Sequence, residues 1–204
     1  MFYAKVDVDP VIKSGVTGVH LLSLKIRIMK KVAINGLGRI GRAVLKIILE
    51  RDDMEVVAVN DLVPVSNLVY LLKYDTVYGK YGHHVSENNG ALKVGDASIK
   101  VMNEKDPSRL PWEKLNIDVV LECTGIFTKK DDLQKHVDAG AKKVILSAPA
   151  KSEGVNTVVY GVNTGQGDKE IISCASCTTN CITPVVEVMQ RRIGIEKAIL
   201  SMKK

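Results

Sequence analysis

The stretch Val32–Leu45, VAINGLGRIGRAVL, constrains the fold more than any other part of this chain. A short apolar run ends at Asn35, glycines follow at 36, 38 and 41, and an amphipathic pattern continues to Arg51. G-x-G-x-x-G between a strand and a helix gives each glycine a mechanical task. Gly36 permits the tight turn, Gly38 lets the backbone approach a pyrophosphate, and Gly41 allows the helix to pack closely on the strand. The helix start then turns the N–H groups of Arg39 and Ile40 toward the phosphates. Asp61 closes the next apolar run, 20 residues beyond Gly41. A carboxylate there accepts from both hydroxyls of an adenosine ribose and repels a 2′-phosphate, which selects NAD over NADP.

The rest of the chain repeats this rhythm. Runs at Val32–Asn35, Val56–Asn60, Val119–Glu122, Val144–Ser147, Thr157–Tyr160 and Glu170–Ser173 read as strands. Helical patterns at Arg39–Arg51, Ser66–Leu72 and Lys129–Ala139 alternate with the first of them. Thr128 and Asp131 are spaced as a capping box, and Gly140 supplies a stop. Between Val85 and Val101, the turn signals Asn88-Asn89-Gly90 and Gly95-Asp96 indicate small antiparallel hairpins inserted into the parallel pattern. The expected fold is α/β: a Rossmann-like, doubly wound, mostly parallel sheet with a small antiparallel insertion, followed by the first helix of a truncated second domain. The corresponding boundaries are an unassigned extension at 1–28, a dinucleotide-binding domain at 29–176, and the start of a catalytic domain at 177–204. Met29 stands just before the first clear strand, so the natural start is expected there.

Composition excludes several other classes. The net charge of +6 is spread along the 204 residues without a basic block or interleaved aromatics, so no nucleic-acid partner is expected. The apolar patch Val19–Leu24 is too short for a membrane span, and no membrane partner is expected. Four cysteines are too few for a disulfide scaffold and fit a reducing cytoplasm.

Three of the four lie in SCASCTTNC, as Cys174, Cys177 and Cys181. A structural zinc site takes four protein ligands, and no local fourth is evident, so no metal is expected. A C-x-x-C redox pair is usually followed by helix from its first cysteine, whereas here the helical pattern Ile182, Val185, Val186, Met189 begins near Cys177 and ends at Gly194. A thiol at a helix N-terminus is a nucleophile candidate. Cys181 lies one turn further on and reads as packing, and Cys123, at a strand end, reads as a small buried hydrophobe.

The segments INGLGRIGR, NDL, LLKYDTVYGKY, ECTGIF, VILSAPA and ASCTTNC, in that order from about Lys31 to Leu200, resemble the phosphorylating glyceraldehyde-3-phosphate dehydrogenases. The resemblance implies that Cys177 is the catalytic thiol. It also implies that Gly36, Gly38, Arg39, Ile40, Gly41 and Asp61 hold NAD, that Lys105 stands near the adenine where the family usually carries Arg, and that Thr124, Gly125 and Ser147 line the cleft. Ser176 and Thr178, beside Cys177, would help hold substrate or inorganic phosphate. The implied reaction is addition of the thiolate to the aldehyde of glyceraldehyde 3-phosphate, hydride transfer to the nicotinamide, and cleavage of the thioester by phosphate. Homo-oligomers are a family property.

The family's active site also uses a histidine, which by ungapped alignment from Cys177 would fall at position 204. Lys204 stands there, and none of His20, His83, His84 and His136 lies in a matching stretch. The phosphate-site arginine of the family's second domain is also unmatched. The expectation is therefore a family member by descent that is an inactive fragment as written. The alternatives are erythrose-4-phosphate dehydrogenase, which shares the cysteine motif, and a non-catalytic NAD-binding module.

Overall fold

The structure, a computed structural model, describes residues 29–201. The expected extension at 1–28 and Lys204 lie outside the described residues. In chain order the elements are β1 (Lys30–Asn35), α1 (Arg39–Leu49), β2 (Met54–Asn60), α2 (Val65–Lys73), β3 (Tyr74–Asp75), β4 (Gly79–Lys80), β5 (Val85–Asn88), β6 (Ala91–Val94) and β7 (Ala97–Met102). There follow β8 (Val119–Glu122), α3 (Lys130–Asp138), β9 (Lys143–Leu146), β10 (Asn156–Thr157), β11 (Ile171–Ser173) and α4 (Cys177–Ile193). Nine strands form one sheet in the order β10-β11-β9-β8-β1-β2-β7-β6-β5. All pairings from β10 to β7 are parallel, and β6 and β5 close one edge antiparallel.

Strand alternation builds a core on each face. Val32 and Ile34 of β1 point to the side covered by α1 and α2, where they meet Leu45, Ile48, Leu68 and Leu72. Ala33 and Ala58 point to the other side, where α3 contributes Leu133 and the segment after β7 contributes Leu110, Trp112 and Ile117. Trp112, the sole tryptophan, is fully buried there. The chain leaves β1 toward β2 on one side and returns as β8 on the other, so β1 and β8 flank the point where the winding reverses. In an open α/β sheet that point is the usual site for a ligand, beyond the carboxyl ends of the strands.

The expected Rossmann-like, mostly parallel α/β sheet with its antiparallel insertion is therefore observed, with local differences. The hairpins at 85–101 are continuous with the main sheet, because β7 pairs with β6 on one side and in parallel with β2 on the other. The expected strand at 157–160 stops at Thr157: Val159 N donates to Asn163 Oδ1, Val162 N donates to Val159 O, and Gly161 has φ +79°, so the chain turns. The capping box at Thr128 is not formed. The N-cap of α3 is Lys129, without a side-chain bond, and Thr128 is buried one residue too early. Ser152 Oγ, from a distant loop, accepts from Lys130 N instead, at 2.7 Å. Gly140 does end the helix, at φ +100°.

Candidate cofactor cleft and nucleophile helix

The glycine loop joins β1 to α1 at the reversal point. Gly36 has φ +91°, and a Cβ there would lie 2.8 Å from Thr124 N and 2.9 Å from Thr124 Cα, so the loops after β1 and β8 touch without room for a methyl group. A Cβ on Gly41 would run into Gly36 O, which is the close helix–strand contact expected of the third glycine. Gly38 differs from both. It is the N-cap of α1, at φ −62°, and nothing lies within 4 Å of its Cβ position. No side chain caps α1 and no acidic residue occupies its first turn. The space over Gly38 is open, and the N–H groups at the start of α1 have no side-chain cap, the arrangement in which a helix N-terminus accepts an anion.

Asp61 follows β2 directly. Its Oδ2 accepts from Leu37 N inside the glycine loop at 2.6 Å, and its Oδ1 accepts from Val63 N at 2.9 Å. The carboxylate is thus tied to the phosphate loop and keeps lone pairs for ribose hydroxyls. Lys105 is exposed in the loop after β7, and Arg39 and Ile40 are exposed at the start of α1. Thr124 and Gly125 follow β8, with Gly125 exposed at φ +73°. Ser147 follows β9 and donates its N–H to Glu122 O. All these predicted residues lie on the carboxyl edge of the sheet.

Cys177 is exposed and is the first residue of α4, entered from the carboxyl end of β11 on that same edge. Ser176 is the N-cap, and its Oγ accepts from Thr179 N at 3.0 Å. Thr178 is half-buried beside it. Sequence reasoning missed what shapes the turn into this helix. Ala175 sits at φ +63°, a left-handed conformation uncommon for a residue with a Cβ, and its N–H donates to Ser173 Oγ. Asn180 Nδ2 reaches back to Cys174 O at 2.6 Å and Ser176 O at 2.9 Å. The Ser173–Asn180 pattern of short polar residues was the available signal.

The other thiols have different environments. Burial pushes the Cys123 thiol up to about 11, and it packs against the core beside α1. Cys174 keeps an exposed edge, yet the protein around it still raises its thiol by desolvation. Cys181 is exposed, one turn into α4. Among the described residues, no three His, Cys, Asp or Glu side chains come together as a metal site. No described helix is long and apolar enough to cross a membrane.

A parallel sheet with its glycine loop at the winding reversal and an acid after the second strand defines a dinucleotide-binding domain. Residues 30–130 match the family described as glyceraldehyde 3-phosphate dehydrogenase, NAD binding domain. The chain is 49% identical over 175 residues to glyceraldehyde-3-phosphate dehydrogenase of Clostridium pasteurianum, which covers 85% of this chain and 52% of that protein. It is 50% identical over 177 residues to that of Thermotoga maritima, covering 85% and 53%. The chain therefore belongs to the glyceraldehyde-3-phosphate dehydrogenase family, and NAD is the cofactor of its nucleotide domain. It spans about half the length of the curated relatives it matches.

Proposed function

We propose that this chain provides the NAD site and the nucleophile of a phosphorylating glyceraldehyde-3-phosphate dehydrogenase. The observation that carries the proposal is an exposed thiol, Cys177, at the first residue of α4 on the same sheet edge as the glycine loop and Asp61. NAD⁺, when bound, supplies the hydride acceptor for aldehyde oxidation. Gly36–Gly41 and the start of α1 hold its pyrophosphate, Asp61 holds a ribose, and Thr124, Gly125, Ser147 and Lys105 border the cleft. Cys177 Sγ attacks the aldehyde carbon of glyceraldehyde 3-phosphate, and N–H groups at the start of α4 face the developing negative charge. After oxidation the acyl group is a thioester on Cys177, and inorganic phosphate releases it. Ser176 and Thr178 border that phosphate.

Among the described histidines none serves Cys177. His136 is fully buried beneath the glycine loop, and His83 and His84 precede β5 at the edge of the sheet opposite β11. A histidine base for Cys177 would therefore come from outside the described residues. α4 supports a domain boundary at 176/177: it has no buried residue, and Val185, Val188, Met189 and Ile193 are exposed, as on a helix awaiting cover from a second domain or subunit. Four free cysteines fit a cytoplasmic protein.

The test is alkylation of Cys177 by iodoacetamide in the presence of glyceraldehyde 3-phosphate, read by peptide mass spectrometry beside an NADH assay. The aldehyde should protect Cys177 while glycerol 3-phosphate does not, and stronger protection by erythrose 4-phosphate would reassign the substrate. Labelling indifferent to either aldehyde defeats the proposal. Steady NADH formation would show that the chain contains its own base.

A further inference from the structure

Beneath the cleft runs a continuous line of buried polar side chains that neither the glycine motif nor the cysteine motif contains. Asn35, Asn60 and Glu122 are the last residues of β1, β2 and β8, and they are direct register partners: Asn35 opposite Asn60 on one side and Glu122 on the other. Asn35 Nδ2 donates to Glu122 Oε2 at 2.6 Å, and Asn60 Nδ2 donates to Asn35 Oδ1 at 2.7 Å. Asn60 then grips the loop after β7, accepting from Glu104 N at 2.8 Å and donating to Glu104 O at 2.9 Å. At the other end Glu122 Oε1 accepts from both the N–H and the hydroxyl of Thr124, the residue against which Gly36 is packed.

His136 of α3 completes the line. Its Nε2 lies 3.1 Å from Glu122 Oε2, and Trp112 Nε1 lies 3.0 Å from its Nδ1. An indole N–H can only donate, so Nδ1 must accept and the ring proton sits on Nε2, aimed at the carboxylate. Glu122 and His136 are both 0% exposed. The carboxylate is compensated by four donors, with no Lys or Arg among them, as a buried charge requires.

We propose that the Glu122–His136 pair, oriented by Trp112, positions the NAD site: through Asn35 and Thr124 it sets the glycine loop against the loop after β8, and through Asn60 it ties in the loop bearing Lys105. His136 touches no part of the cleft; it acts through Glu122. Removing its donor leaves the carboxylate short of a partner and lets it turn from Asn35 or Thr124, which separates the two loops that must close on the cofactor. The proposal rests on the NAD site described above.

The test is calorimetric titration of NAD⁺ into the full chain, well below its melting temperature, with folding checked by circular dichroism. His136→Leu should weaken binding by about five-fold or more, since coupling through a polar network is commonly worth that much. His136→Gln keeps a donor toward Glu122 and should restore binding to within about two-fold of the parent. If His136→Leu does not fold, Glu122→Gln carries the test: it keeps the volume, sets an amide N–H₂ against existing donors, and should weaken NAD⁺ to a similar degree. A folded His136→Leu or Glu122→Gln protein with parental affinity overturns the positioning role. A parent chain that binds no NAD⁺ overturns the cofactor site itself.

Discussion

Asn35 and Glu122, the last residues of two adjacent parallel strands and partners in register, share a 2.6 Å hydrogen bond wholly inside the protein. The bond couples the strand that enters the phosphate loop to the strand that enters the Thr124 loop. Asn35→Leu keeps the forked shape of the side chain but removes a donor from a buried carboxylate and an acceptor from Asn60 Nδ2. A loss of about 2–3 kcal/mol is expected, visible as a lower urea midpoint with an unchanged m-value.

Gly38 and Gly41 should separate binding from folding. Gly38→Ala adds a methyl group where nothing lies within 4 Å, at an ordinary φ of −62°. Stability should change by no more than about 0.5 kcal/mol, while NAD⁺ affinity falls because the methyl occupies the phosphate cradle. Gly41→Ala meets Gly36 O and should cost about 2 kcal/mol or more in thermal or urea unfolding. A Gly38→Ala chain that binds NAD⁺ like the parent would place the phosphates elsewhere.

The cysteines should react in a definite order near neutral pH, with Cys177 first, Cys181 next, and Cys174 and Cys123 last. Burial raises the thiols of Cys123 and Cys174, and of the four cysteines only Cys177 heads a helix. Cys123 should label only as pH approaches about 11. The same shift has a stability sign. Cys123 keeps its proton in the folded state to about 11 while the unfolded thiol loses it near 9.0, so folding weakens as pH rises from 9 toward 11. Cys123→Ala should remove that part of the alkaline loss, on the order of 2 kcal/mol, in urea titrations at stepped pH.

The turn before α4 offers a cleaner test of helix entry. Ser176→Ala removes the acceptor for Thr179 N and should cost about 1 kcal/mol. Ala175→Val places a β-branched residue at φ +63° and should cost about 1–3 kcal/mol. Both should slow alkylation of Cys177 by fraying the helix start, and an unchanged rate would show that helix entry does not govern the thiol.

By itself the sequence determined the period-two and period-3.6 patterns, the three glycines, the acid after the second strand and the cysteine at a helix start. These are local: each needs only its neighbours to be read, which is why the parallel strands, α1 and α4 could be named from spacing. It also carried the family resemblance through short contiguous motifs. What only the tertiary structure decided depends on residues 87 or 24 positions apart, such as Asn35 with Glu122 and Trp112 with His136. A strand ending on Asn or Glu looks like an ordinary polar boundary until the sheet register sets three such ends side by side. Likewise Thr128 matched a capping pattern, but the helix began one residue later and took its partner from Ser152, 22 positions beyond Lys130. Hydrogen bonds between distant side chains leave no periodic trace in the chain, because their partners are chosen by packing after the strands have aligned.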